Sequence, residues 1–254
     1  MQSVLSSRSR MEKIVTDIIF DFSTKRLLSS SSNNAILVAN SIYEACEYYK
    51  LFQKTAFKDK CAVVTSYNPH SNDVSKEDTG ANTETEKEAI YNLYQEILKE
   101  VIPQGNKSKT ETYEDWAKNK FKTERANMKI LIVVSKLLTG FDAARLKKLY
   151  IGRVIKSHNL LQTLTRVNRT YKGFSYGYVV DFADIEKEFE RTNADYFKEL
   201  ENEFGSEIET YSNLFKSDNE IEEEINNIIE VLFRFDTNNL ERFSQQINDI
   251  KSRS

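Results

Sequence analysis

Five short apolar runs, Ala35–Ala39, Cys61–Thr65, Ile130–Val134, Leu149–Gly152 and Tyr178–Phe182, constrain this chain more than any other feature. Several are continuous in valine, isoleucine and leucine rather than alternating. That pattern is expected of strands covered on both faces, as in a mostly parallel sheet. The intervening stretches repeat apolar residues at helical spacing. Ser41 to Phe52 places Ile42, Ala45 and Tyr49 on one side, with Asn40 as the expected N-cap. Met11 to Phe22 and His158 to Arg169 also read as helices. Strand–helix alternation of this kind predicts an α/β layer with a mostly parallel sheet flanked by helices.

Two stretches break the rhythm. The stretch from Asn68 to Met128 opens with a polar loop, Asn68-Pro69-His70-Ser71-Asn72-Asp73, and the expected insertion spans about residues 69–128. Helical segments follow at Thr85 to Val101 and Tyr113 to Phe121, and the whole reads as an insertion between strands. After Phe182 the spacing of Phe189, Tyr196, Leu200 and Phe204, and of Ile221, Ile225, Ile228 and Leu232, predicts an all-helical extension. The expected organisation is therefore an α/β domain over residues 1–182 and a helical extension over 183–254.

Charge divides along the same line. Residues 1–183 hold 28 Lys+Arg against 20 Asp+Glu, whereas residues 184–224 hold 4 against 15. A basic body suits a polyanionic partner such as DNA, and the acidic segment would be repelled by a phosphate backbone. No apolar run approaches the length of a membrane span, and the serine-rich start lacks the form of a signal peptide. Cys46 and Cys61 lie in apolar segments without metal-ligand spacing, so buried free thiols in the cytoplasm are expected.

The chemistry concentrates in two segments. Leu138-Thr139-Gly140-Phe141-Asp142-Ala143 follows the third apolar run, and Gln162-Thr-Leu-Thr-Arg166-Val-Asn-Arg169 follows the fourth. Spacings of three and four put Gln162, Arg166 and Arg169 on one helical face. Two guanidinium groups aimed one way suit a phosphate tail, because they stay charged and fork onto its oxygens. A glycine after a strand lets backbone approach phosphate closely, while Thr139 offers a hydroxyl and Asp142 a carboxylate.

These segments resemble motifs V and VI of superfamily 2 helicases and translocases, and their wording is most similar to the motor (R) subunit of type I restriction enzymes. The resemblance implies a RecA-like fold, the second motor domain of an ATP-dependent double-stranded DNA translocase. It implies that Arg166 and Arg169 act on the γ-phosphate of ATP, with Gly140, Asp142 and Gln162 at the nucleotide. By the same resemblance, Asn34 to Ser41 matches motif IV and Cys61 to Asn68 the strand after it, so Ser41, Thr65, Ser66 and Thr139 are expected on the nucleic-acid backbone. Thr165 stands where the wider superfamily usually has glycine, and Ala144 where it often has proline.

No Gly-x-x-x-x-Gly-Lys-[Ser/Thr] occurs, nor an Asp-Glu pair suited to a Walker B motif. ATP and Mg2+ are then expected to be bound mainly by a first motor domain outside this sequence. The resemblance implies further partners: a nuclease domain of the same natural chain, methyltransferase and specificity subunits, and the backbone of duplex DNA. It also implies a part of a longer chain, inactive as an ATPase alone, with no metal site of its own. Two other readings stay open: a non-catalytic helicase-like module for nucleic-acid or protein binding, and part of another superfamily 2 DNA helicase. His158, His70, the Tyr113/Trp116 pair and the Glu222–Glu224 run are discounted, since none has a catalytic or metal-binding spacing.

Overall fold

The computed structural model describes residues 7–24, 33–69, 84–124, 127–167 and 176–204, with positions 223 and 226. Five strands form one sheet: β1 (Asn34–Val38), β2 (Cys61–Val64), β3 (Ile130–Val133), β4 (Leu146–Ile151) and β5 (Tyr178–Asp181). Their order is β2-β3-β1-β4-β5, and every pairing is parallel. The central register aligns Leu37 with Ile132 on one side and with Tyr150 on the other. Every residue of β1 to β4 is buried, which is why these strands run apolar without alternation apart from Asn34 at the start of β1 and Lys147 and Lys148 in β4. The edge strand β5 differs: Tyr178 and Val179 are exposed.

Parallel strands need crossovers, and right-handed crossovers fix the layers. From β1 the chain steps outward to β2 through α2 (Ile42–Gln53). All later steps run the opposite way, so their connections cover the opposite face. On the first face, α1 (Arg8–Thr24) joins α2 and buries Met11, Ile14, Val15, Ile18 and Phe22. The second face carries α4 (Lys109–Thr123), the loop from β3 to β4, and α5 (Ser157–Leu164). There the rings of Phe121 and Phe141 pack 6.0 Å apart. Helix α3 (Glu84–Leu98) lies against α2 and α4, with Ile90, Leu93, Tyr94 and Leu98 buried in the common core. The described helices of the 69–128 stretch therefore form the crossover between two parallel strands and share its core.

Three details depart from the sequence reading, the first being that α5 stops at Leu164, within the His158 to Arg169 stretch expected to be helical. Helix α2 is capped by Ser41 rather than Asn40: the Ser41 hydroxyl accepts the Glu44 N–H at 3.1 Å. Strand β4 begins at Leu146, three residues before its apolar run, because it carries Lys147 and Lys148 into the sheet. Lys148 is tolerated there by an ion pair with Asp21 of α1, and its ammonium lies 5.3 Å from the Tyr150 ring centre. The Tyr150 hydroxyl donates to the same Asp21 carboxylate at 3.0 Å.

The chain divides into two compact units, Met1–Ala194 and Asp195–Ser254. The last described helix, α6 (Glu186–Phe204), crosses that division, beyond the boundary expected near residue 182. Most of the expected helical extension, and Arg169 with it, lies outside the described residues. None of the described helices is long and apolar enough to cross a membrane.

Candidate functional site

Every strand of a parallel sheet ends at one edge, and ligand sites of α/β layers collect in the loops there. Ser41 follows β1, Thr65 and Ser66 follow β2, and the connection carrying Thr139, Gly140 and Asp142 follows β3. Topology thus brings together segments far apart in sequence. What each side chain does there varies.

The β3–β4 connection, residues 134–145, leaves the edge and descends over the face covered by α4 and α5. Leu138, Phe141 and Ala143 are its buried anchors. Thr139, Gly140 and Asp142 are exposed between them. Gly140 adopts φ of 71°, a left-handed conformation that glycine accepts without steric cost. Leu137 adopts φ of 69° in the same turn, so the loop stores strain next to its exposed tip.

Helix α5 meets that loop. Arg166, in the turn that ends the helix, points an Nη1–H at the carbonyl oxygen of Phe141, 3.4 Å away. This is a long, weak bond for a charged donor, which ordinarily settles near 2.8 Å. The Arg166 Nε is buried and finds no hydrogen-bond partner among the described residues. A half-buried guanidinium so weakly engaged is suited to accept a better anion. Gln162, one turn earlier, lies 2.5 Å from the His158 ring nitrogen, so the amide and imidazole engage each other along the helix.

The edge beyond β2 is built differently. Thr65 is 1% exposed, and its Oγ1 lies 2.6 Å from the Tyr94 hydroxyl of α3 while accepting the Tyr67 N–H at 3.2 Å. That hydroxyl is an internal strut, which takes Thr65 off the surface where a phosphate would approach. Ser66 remains partly exposed and lines a cleft of about 300 Å³ with Tyr67, Asn68, Ser108, Thr110 and Lys136. Glu111 and Glu114 line it too, which makes it a poor receptor for phosphate. The Ser41 hydroxyl accepts at the α2 cap, and its own O–H remains a donor.

Beneath the β1 loop, Glu44 is 1% exposed. One carboxylate oxygen accepts the Asn40 N–H at 3.1 Å. Burial pushes this carboxyl up to about 6, against the opposing pull of that N–H and of Arg10. Burial likewise pushes the Cys46 and Cys61 thiols up to about 12, so neither is a nucleophile near neutral pH.

Sequence reasoning missed Gly152 and Arg153. The Gly152 N–H donates to the Val38 carbonyl at 2.8 Å, and a Cβ at this position would stand 2.7 Å from that oxygen. Only glycine lets β4 leave the sheet so close to β1, and the turn brings Arg153 to Ser135, whose Oγ accepts from Nη2 at 2.9 Å. A glycine–arginine pair directly after an apolar run was the available signal.

Comparison with known proteins agrees with this architecture. Residues 31–184 match the family described as type I restriction enzyme subunit R domain 3. The MjaIXP endonuclease subunit of Methanocaldococcus jannaschii, a type I restriction enzyme, is 27% identical over 208 residues, covering 82% of this chain and 17% of its own length. The MjaVIIIP endonuclease subunit of the same organism is 42% identical over 87 residues, 34% of this chain and 8% of its length. The HindI endonuclease subunit of Haemophilus influenzae is 35% identical over 80 residues, 30% of this chain and 8% of its length. The chain thus spans less than a fifth of these relatives. With a parallel sheet of RecA-like type and a family match over more than half its residues, the chain belongs to the type I restriction enzyme R-subunit domain 3 family.

Proposed function

We propose that this chain is the second RecA-like motor domain of an ATP-dependent double-stranded DNA translocase within a type I restriction endonuclease. The observation that carries the reading is Arg166: a guanidinium held half-buried against the Phe141 carbonyl, with its Nε unsatisfied among the described residues. In this reading ATP and Mg2+ are held mainly by a first motor domain elsewhere in the natural chain. ATP supplies a γ-phosphoryl group whose transfer to water develops charge on its oxygens. Arg166 stabilises that charge when the two domains close, and Arg169 is proposed to do the same. Gln162 and Asp142 orient groups around the nucleotide, and Gly140 lets the backbone approach it.

Ser41, Ser66 and Thr139 then donate hydrogen bonds to the phosphodiester backbone, contacts that position DNA without reading its sequence. Thr65 supports them from inside. Target recognition falls to a separate specificity subunit, with methyltransferase subunits and a nuclease domain completing the complex. With no Walker A or Walker B segment in its sequence, this chain hydrolyses no ATP alone.

The test is Arg166→Ala in the full-length R subunit, followed by DNA-stimulated ATP hydrolysis and circular dichroism. Loss of hydrolysis from a folded protein supports the motor reading. Hydrolysis at the wild-type rate overturns it and leaves a helicase-like interaction module in its place.

A further inference from the structure

We propose that Arg153 is a positioning residue for the β3–β4 loop, fixing the start of the loop while Arg166 reaches it at Phe141. The loop leaves the sheet with two left-handed residues, Leu137 and Gly140, and an exposed tip at Thr139 and Gly140. Such a shape persists only where its surroundings over-determine it. Backbone bonds close it weakly at the start, Leu138 N–H to the Ser135 carbonyl at 3.4 Å, and more firmly at the end, Leu146 N–H to the Ala143 carbonyl at 2.9 Å.

Arg153 acts at this start, while Arg166 reaches the loop at Phe141, ahead of its closing bond. Arg153 Nη2 donates to the Ser135 hydroxyl at 2.9 Å, and Arg166 Nη1 to the Phe141 carbonyl at 3.4 Å. The shorter bond is at the end where the loop's own backbone bond is weaker. Lys136, the next residue, is tied separately to Glu114 of α4, so consecutive loop residues are held from β4 and from α4. Arg153 reaches Ser135 because Gly152 lets the chain leave β4 flush against Val38.

The consequence for binding rests on the reading that this loop touches the DNA backbone. Arg153 sets where Thr139 is presented without contacting phosphate itself. When Arg166 turns from Phe141 toward a nucleotide phosphate, the Arg153 anchor keeps the start of the loop in place.

Two measurements on the 254-residue chain test this. Amide hydrogen exchange is followed at Leu138, whose N–H is bonded to the Ser135 carbonyl at the start of the loop, in the wild type, Arg153→Ala, Ser135→Ala and the double variant. Loop exchange is expected to quicken about tenfold in each single variant and no further in the double, with strand amides unchanged. Arg153→Lys, which keeps one donor, should stay within about threefold of wild type. Loop exchange in Arg153→Ala within about twofold of wild type overturns the proposal, as does quickening spread through the sheet.

The second measurement is duplex-DNA affinity across salt concentrations. A positioning role predicts weaker binding at an unchanged salt slope. A slope reduced by about one unit means that Arg153 neutralises a phosphate directly, and overturns positioning. Failure of the wild-type chain to bind any duplex refutes the DNA reading of the loop, while the exchange data still decide the role of Arg153.

Discussion

The connections that leave β2 and β3 start at adjacent points of one sheet edge, yet they are held in opposite ways. Beyond β2 the polar groups satisfy one another. Thr65 pairs with Tyr94 and Tyr67, and α4 opens with a reciprocal capping box in which Ser108 accepts the Glu111 N–H at 3.2 Å and Glu111 accepts the Ser108 N–H at 2.7 Å. Beyond β3 the loop is held through two guanidinium groups, each with a buried Nε that has no hydrogen-bond partner among the described residues, and the Arg166 bond to the loop is the long one. A satisfied network specifies structure, whereas a weakly engaged cation set against a strained loop is a place where binding has something to gain. Neighbouring loops on one edge therefore divide the labour: one fixes the fold, the other is open to a ligand.

Arg166 provides the hardest way to break this contrast. In the full-length subunit, Arg166→Ala is expected to lower ATP turnover by about three orders of magnitude, the scale of a transition-state arginine. Thermal stability of the domain should stay close to wild type, because the long bond to Phe141 contributes little. Lysine should not rescue turnover, since a point charge on a flexible stem lacks the planar fork. An unfolded Arg166→Ala domain would move this residue to the structural side of the comparison.

The next effect is steric. Gly152→Ala places a Cβ 2.7 Å from the Val38 carbonyl oxygen, against backbone that has no rotamer with which to yield. Shifting β4 away from β1 should cost about 3 kcal/mol, measured by urea unfolding. An unchanged denaturation midpoint would mean that the β4 exit is not fixed by this contact.

Glu44 separates fold from function through pH. Its carboxyl lies at about 6 in the folded chain against an ordinary 4.5. The folded pKa is the higher one, so the favourable contribution is complete below about 4.5 and is lost as pH rises through 6. Above that range the buried carboxylate costs about 2 kcal/mol. Glu44→Gln keeps an acceptor for the Asn40 N–H and removes the charge. The variant should therefore gain about 2 kcal/mol over wild type at pH 8 and almost nothing at pH 4. A gain independent of pH would place its origin outside this ionisation.

The sheet was legible because burial on both faces leaves apolar runs in sequence, which located β1 to β4, while the edge strand β5 showed a similar run although its residues are largely exposed. Strand β4 was read too short because Lys147 and Lys148 resemble a loop until Asp21, more than a hundred residues away, supplies an ion-pair partner for the latter. The N-cap was misplaced by one residue, since asparagine and serine cap equally well and only the Glu44 N–H distinguishes them. In the candidate site, helical spacing placed Gln162 in α5, but the helix stops at Leu164 and Arg166 sits in the turn beyond it, short of the helix expected as far as Arg169; the glycine after β3 marked the turn. Exposure was not legible. Thr65 and Thr139 both follow apolar runs, and nothing local tells which hydroxyl another helix will cover. For Arg153 the only local mark was the Gly152–Arg153 pair ending an apolar run, since its importance lies in a bond to Ser135 across the sheet edge.

Those two threonines give the smallest and cleanest test. Thr65→Val keeps shape and removes the hydroxyl, leaving the buried Tyr94 oxygen without that partner. The loss should be about 1.5 kcal/mol of stability, with duplex affinity unchanged in the folded protein. Thr139→Ala should do the reverse. Its hydroxyl is exposed, so stability should stay within about 0.5 kcal/mol of wild type. Losing one donor to a phosphate should weaken duplex binding about fivefold, equally for all sequences, because a backbone contact carries no base information. Unfolding curves and a competition binding assay on the same two preparations read both axes. A Thr65→Val chain that keeps its stability but loses DNA would return that residue to the binding surface, and the division between the two loops would not stand.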